Sequence, residues 1–280
     1  MMGEDGAPGV MPIAVKELFD SAAKDDEHDW RFGVTYVEIY NERVKDLLNP
    51  EAAELEVRED ARKGTHIQGA VEVAVGTVQE LMEHMERGSL YRVTEATNCN
   101  AVSSRSHAVL QVSVEALQKF GDGGGRIKRL SKLSMIDLAG SERAYKTDNT
   151  GQRLVEGRNI NRSLLSLANC INALADKTKK GQHVPYRDSK LTRLLQNSLG
   201  GNSVTVMLCN ASPAQLNAEE TTSALQFAAR TKKIENHAAI NRDPKLARAA
   251  ALYEENQLLR DKVRRLEAHV AELEKNYYNI

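Results

Sequence analysis

The sequence has no apolar run long enough to span a bilayer, and no excess of charge of either sign. Its 38 Lys and Arg face 39 Asp and Glu, a net charge of −1 over 280 residues. No global field draws such a chain toward nucleic acid or a membrane surface, so an anionic partner has to be met by a local basic patch. Cysteine is scarce. Cys99, Cys170 and Cys209 are odd in number, widely spaced and in no metal-ligand pattern. That excludes a disulfide framework and argues for a reducing compartment. The opening MMGEDGAPGVMP holds neither a basic nor an apolar stretch and does not read as a secretory signal. No G-x-x-x-x-G-K-S/T run occurs, so the usual backbone cradle for phosphates is missing from these residues.

What is present is 41% hydrophobic and 28% charged, the balance of a globular chain rather than a disordered one. Strand-like and helix-like patterns alternate from about residue 12 to residue 233. Phe32 to Tyr40 is aromatic and β-branched, hence a strand. Asn41 to Leu48 shows helical spacing. Val78 to Tyr91 reads as an amphipathic helix opened by Thr77 and Glu80, a capping box. His107 to Leu117 alternates, with Leu110, Val112 and Val114 on one face. Leu130 to Leu138 is its partner across a Gly-rich hairpin at 122–126. Leu154 to Ala175 and Arg187 to Leu199 are helices, the second stopped by Gly200 and Gly201. Val204 to Cys209 reads as a buried strand, and Ala218 to Lys233 as a last helix. The alternation predicts an α/β sheet with helices on both faces.

The tail has a different pattern. Leu252, Leu259, Leu266 and Leu273 recur every seventh residue, which sets Ala249, Asn256, Val263, Val270 and Tyr277 at the a positions. Glu255 with Arg260 and Lys262 with Glu267 would attract across a parallel pair. Leucine at d, β-branched residues at a and one Asn at a suit a two-stranded coil. The alternative is one helix folding back on the domain; seam and charge pairs agree on the dimer.

Two loops carry chemistry. Asn100-Ala-Val-Ser103-Ser104-Arg105-Ser106-His107 puts two hydroxyls and a guanidinium ahead of a strand. Such groups can ligate Mg²⁺, donate to phosphate or pair with a carboxylate. Leu133-Ser-Met-Ile-Asp137-Leu-Ala-Gly140-Ser-Glu142 ends a strand in a carboxylate, with a glycine three residues on. That arrangement can hold a Mg²⁺ shell and bring a backbone N–H close to a terminal phosphate. Either loop alone could equally be a polar cap or a turn.

Together, NxxSSRSH and DLAGSE resemble switch I and switch II of the kinesin family. His183-Val-Pro-Tyr-Arg-Asp-Ser-Lys-Leu-Thr-Arg193 is similar to the loop and helix with which kinesins grip tubulin. Glu156-Gly-Arg-Asn-Ile-Asn161-Arg-Ser-Leu resembles the start of the long helix in the groove between tubulin subunits. VEIYNERVKDLL at 37–48 and the last helix are also family-like, and the likeness covers roughly residues 1 to 242.

The resemblance implies a P-loop NTPase-like fold, with a central mostly parallel or mixed sheet, helices on both faces and the N-terminal strands missing, then a parallel coiled-coil helix. It implies a partial motor domain at 1–233, a neck linker at 234–245 that docks when ATP is bound, and the start of a stalk at 246–280. The activity implied is microtubule-stimulated ATP hydrolysis coupled to movement, with ATP and Mg²⁺ as cofactors. Asn100 would belong to the nucleotide site. Ser103 would touch the γ-phosphate, Ser104 would ligate Mg²⁺ and Asp137 would hold Mg²⁺ through water. The Gly140 N–H would sense the γ-phosphate, and Arg105 would close over it by pairing with Glu142. Arg143, Lys146, Glu156, Asn161, Arg187, Lys190 and Arg193 would meet the microtubule, with Arg153 and Lys177, Lys179 and Lys180 as further basic contacts. The implied partners are tubulin and a second copy of the chain, with no nucleic acid and no membrane insertion, in the cytoplasm on the microtubule cytoskeleton. Motor before coil is the order of plus-end-directed kinesins.

The family's phosphate-binding loop comes just before a segment like Met1-Met2-Gly3. The resemblance therefore implies a chain that begins right after it and lacks a strand between those ending near Asp137 and Cys209. The neighbouring strands would be left with unpaired backbone and bare apolar faces, and the chain alone would fold poorly and not hydrolyse ATP. The alternative is a relative without the loop that binds microtubules passively.

Overall fold

A computed structural model describes residues 1–4, 6–60, 64–97, 105–118, 128–140, 152–176, 178, 181, 183–241 and 244–278. For 93–97, 152–161, 244–247, 249, 250, 254 and 272–278 it gives the course of the backbone only. The hairpin connection at 122–126 lies outside the described residues.

Three long strands organise the chain. β3 (His28–Tyr40), β8 (His107–Gln118) and β9 (Lys128–Asp137) follow two short strands, β1 (Gly3–Glu4) and β2 (Ala7–Pro8). β4 (Arg43–Asp46) and β7 (Val73–Val75) also pair with β3, giving the order β4-β3-β8-β9 with β7 off that path. β5 (Glu56–Asp60) and β6 (Gly64–Gln68) make a separate hairpin. Every described pairing is antiparallel. Among them β3–β4 and β8–β9 follow each other in the chain and fold back as hairpins.

Side-chain alternation sorts the core into two layers. Phe32, Val34 and Tyr36 on β3 and Leu110, Val112 and Val114 on β8 point to one face, against α1 (Val10–Ala23) and α2 (Val78–Thr97). Val37, Ile39 and Val109 point to the other, against α3 (Gln152–Ala175) and α4 (Lys190–Leu194). A period of two on a central strand buried on both faces requires this split. Helices on both faces are as predicted.

The entry to α2 follows its sequence signal. The Glu80 N–H donates to Thr77 Oγ1 at 3.2 Å, and the Glu80 carboxylate accepts from the Gly76 N–H at 2.8 Å, satisfying backbone donors that the first turn leaves free. Asn41 to Leu48 is not the helix its spacing suggested. Asn41 and Glu42 both take positive φ (54° and 59°) in a two-residue turn between β3 and β4, the left-handed pair that matches strand twist. Asp46, 2% exposed, then accepts from the Leu48, Asn49 and Val71 N–H groups and fixes the chain beyond β4. Arg187 to Leu199 is divided at Ser189, which is extended and accepts from the Thr192 N–H as the N-cap of α4.

Val204 to Cys209 is not the buried strand its composition suggested. It pairs with no described strand, and Val204, Val206 and Leu208 are 84%, 81% and 56% exposed. β-branched residues favour an extended backbone, but a strand is stable only with a ladder neighbour. β9 likewise ends the described strand order. Beyond them run α5 (Ala218–Thr231) and α6 (Pro244–Tyr278).

The burial contrast has a measurable outcome. Leu110→Ala, at a site with no exposed surface, is expected to cost about 2–5 kcal/mol in urea unfolding. Val206→Ser is expected to change stability by less than about 0.5 kcal/mol.

Candidate functional site

The β8–β9 register sets Ala108 opposite Asp137. The residues entering β8 therefore lie beside those leaving β9, which brings the two chemistry-bearing loops to one end of the sheet. Arg105 sits half-buried in the turn before β8. Asp137 ends β9, with Ala139 and Gly140 just beyond. Asn100, Ser103, Ser104 and Glu142 lie outside the described residues, and with Glu142 the pairing expected for Arg105.

Arg92, on the last turns of α2, holds this end together. Its guanidinium donates to Asp137 Oδ2 at 3.1 Å, to Ser106 Oγ at 3.2 Å and to the Ser106 carbonyl at 2.9 Å. It also lies 3.6 Å from Glu38 of β3, whose side chain is 2% exposed. A planar guanidinium with five donors suits such a fork; a lysine could not span it. Sequence reasoning passed over Arg92, 13 positions before Arg105, as one polar residue of an amphipathic helix.

His107 is the second link. The Ala139 N–H donates to His107 Nδ1 at 2.9 Å, which places the ring proton on Nε2, 2.8 Å from Ser163 Oγ on α3. Burial, and then the positive charge of Arg92, lower the imidazole's pKa from 6.5 to about 4, only partly countered by Asp137. The ring is neutral at physiological pH. Nearby, burial pushes the Cys170 thiol on α3 up to about 11, so it stays protonated and inert.

The basic residues expected at a partner surface divide. Arg187 and Lys190 are exposed or partly so but meet acidic neighbours. Arg187 lies 3.5 Å from Glu59 and Lys190 Nζ 3.2 Å from Glu54, while the Lys190 N–H donates to Glu42 at 2.9 Å. Arg193 lines an open notch with Arg58, Glu59, Asp60 and Arg187. Glu156, Asn161 and Arg153 lie on the first turns of α3, where only the backbone is described. Arg143, Lys146, Lys177, Lys179 and Lys180 lie outside the described residues.

The segment after α5 is tied down. Asn236 Oδ1 accepts from the Gly200 N–H at 2.7 Å, and its amide donates to the Ser198 carbonyl and to Thr205 Oγ1. The Asn241 carbonyl accepts from the Leu130 N–H of β9 at 3.0 Å. Asn236 is another residue that sequence reasoning missed.

Comparison with known proteins decides the family. The kinesin motor-domain family model matches residues 1–234. The chain belongs to the kinesin motor-domain family. It is 46% identical over 257 residues to the kinesin heavy chain of Syncephalastrum racemosum, covering 90% of this chain and 27% of that protein. It is 47% identical over 240 residues to Kinesin-like protein KIN-8A of Oryza sativa subsp. japonica, covering 85% of this chain and 30% of that one. The chain thus spans less than a third of either relative. Two solved kinesins superpose on it. One is described as a fast kinesin (TM-score 0.77, 41% identity, 87% of this chain and 68% of that chain). The other is a KIF14 dimer with AMP-PNP on a microtubule (TM-score 0.78, 34% identity, 87% and 69%). The fold is that of kinesin motors, of the P-loop NTPase class. No helix among the described residues is long and apolar enough to cross a membrane.

Asp137 is 40% exposed at its side chain, with Oδ2 on Arg92. Mg²⁺ keeps several waters and takes few protein oxygens. A partly exposed strand-end carboxylate therefore fits a water-mediated role in this kinesin.

The buried imidazole gives a pH signature. The unfolded chain takes up a proton near the ordinary His value of 6.5 while the fold resists until about 4. Stability is complete above the higher value, falls as pH drops between the two, and levels off below. The expected loss is on the order of 3 kcal/mol. Urea unfolding between the two values should show a steeper pH slope for wild type than for His107→Asn.

Proposed function

We propose that this chain forms the greater part of the motor domain of a microtubule-stimulated ATPase that moves along microtubules. One observation supports the reading: the β8–β9 register and the Arg92 fork set Ser106, at the entry to β8, beside Asp137, at the end of β9. Phosphoryl transfer in this class depends on positioning and charge stabilisation more than on covalent chemistry. Two loops fixed to one guanidinium can sense whether a terminal phosphate is present.

In this reading Asn100, Ser103 and Ser104 line the nucleotide, Ser104 and Asp137 hold Mg²⁺, and the Gly140 N–H meets the γ-phosphate. Bound Mg²⁺ would neutralise charge on the phosphate oxygens. Arg105 and Glu142 close the site and orient water. Loss of the phosphate contacts releases the loops, an order–disorder change. The 234–245 segment acts as neck linker, with Asn236 as its anchor. Glu156, Asn161, Arg143, Lys146, Arg187, Lys190 and Arg193 face tubulin, and the protein works at the microtubule cytoskeleton. Leu252, Leu259 and Leu266, with Val263 and Val270, remain 51–56% exposed along α6, the bare seam a second copy would cover.

The alternative reading is a non-catalytic microtubule-binding and dimerisation module.

ATPase measured on the full-length protein with and without microtubules separates them. The motor reading expects severalfold stimulation, abolished by Asp137→Asn. No stimulation, with filament binding indifferent to nucleotide, supports the module. The triple variant Arg187→Ala, Lys190→Ala, Arg193→Ala is expected to weaken co-sedimentation about tenfold, roughly 0.5 kcal/mol per exposed cation, with a smaller salt dependence. Sedimentation of the chain with Leu259→Lys and Leu266→Lys should show a monomer where the wild type shows a concentration-dependent dimer.

A further inference from the structure

We infer that His107 is the positioning residue that transmits movement of the DLAG loop to α3, by holding the Ala139 amide and the Ser163 hydroxyl on opposite edges of one ring. The inference rests on the motor reading above and names the contact through which its two halves communicate. Arg92 ties Ser106 to Asp137. His107 bridges the loop after β9 to α3 through hydrogen bonds at both ring nitrogens, 2.9 Å and 2.8 Å.

Three observations make this a rigid link rather than a passive core residue. His107 and Ser163 are 2% and 3% exposed, so neither bond can be exchanged for water. An unmade buried bond carries the full desolvation penalty of the group left behind. The ring also allows only one arrangement: Ala139 must donate to Nδ1, so Nε2 must carry the proton toward Ser163. Ala139 directly precedes Gly140. A backbone shift that follows the Gly140 amide therefore either moves Ser163 or breaks a buried hydrogen bond of His107. One and two helical turns further, Leu167 and Ile171 pack α3 onto the sheet, so a displacement entering at Ser163 is passed along the helix.

The test uses the full-length protein and co-sedimentation with microtubules in ADP and in AMP-PNP. Wild type is expected to bind more tightly in one nucleotide than in the other. Ser163→Ala is expected to shrink that ratio at least about fivefold while fluorescent-ADP binding without microtubules is retained, and Ser163→Thr, which keeps the hydroxyl, to preserve it. A wild type with no nucleotide-dependent affinity overturns the motor reading and this inference together. A wild type with the dependence and a Ser163→Ala variant that keeps the full ratio overturns this inference alone. Nitrogen-15 spectra of the His107 ring give a readout needing no variant. A protonated Nε2 and bare Nδ1 at neutral pH support the link, and the other tautomer or a charged ring overturns it.

Discussion

One buried guanidinium governs this end of the molecule. Arg92 comes from α2, yet its partners belong to the sheet: Glu38 on β3, Ser106 at the entry to β8 and Asp137 at the end of β9. A charge buried this deeply is tolerable only when it is paired and hydrogen-bonded, and here Ser106 and Asp137 accept its hydrogen bonds while Glu38 lies 3.6 Å away as a second carboxylate. The fork therefore constrains where both loops can start. Glu38 supplies a compensating charge from the interior, and the more exposed Asp137 pairs with Arg92 from the outer side.

Much of the fold could be read in the residues because local and long-range signals agreed. Thr77 and Glu80 announced the start of α2, and the alternation from Leu110 to Val114 announced which face of β8 is buried. Where the reading failed, a local pattern was overruled. Asn41 and Glu42 accept the left-handed region and turn the chain, and spacing alone cannot see a turn made without glycine. Val204 to Cys209 has the composition of a core strand, but composition says nothing of whether a ladder partner is beside it. The candidate site residues were legible where they lay in contiguous motifs. Arg92, His107 and Asn236 were not, because each acts through a partner distant in sequence: Asp137, Ser163 and Gly200.

The basic face is subtler than a count of cations suggests. Lys190 and Arg187 already lie beside Glu54 and Glu59, next to or within the β5–β6 hairpin. Exposed pairs of this kind contribute little to stability, so they lose little by being exchanged for an acidic partner. They do soften the local field, and with it the electrostatic steering that such a patch provides. A surface of this design discriminates by geometry as well as by charge.

The segment Val204-Thr-Val-Met-Leu-Cys209 has no charge, no proline and strong extended propensity, and its apolar side chains face water. Sequences of that description stack with copies of themselves into dry cross-β zippers. With its neighbours in the sequence offering no charged gatekeeper until Glu219, this stretch is where concentrated solutions of the chain would begin to aggregate, and where a chaperone that recognises bare hydrophobic peptide would take hold.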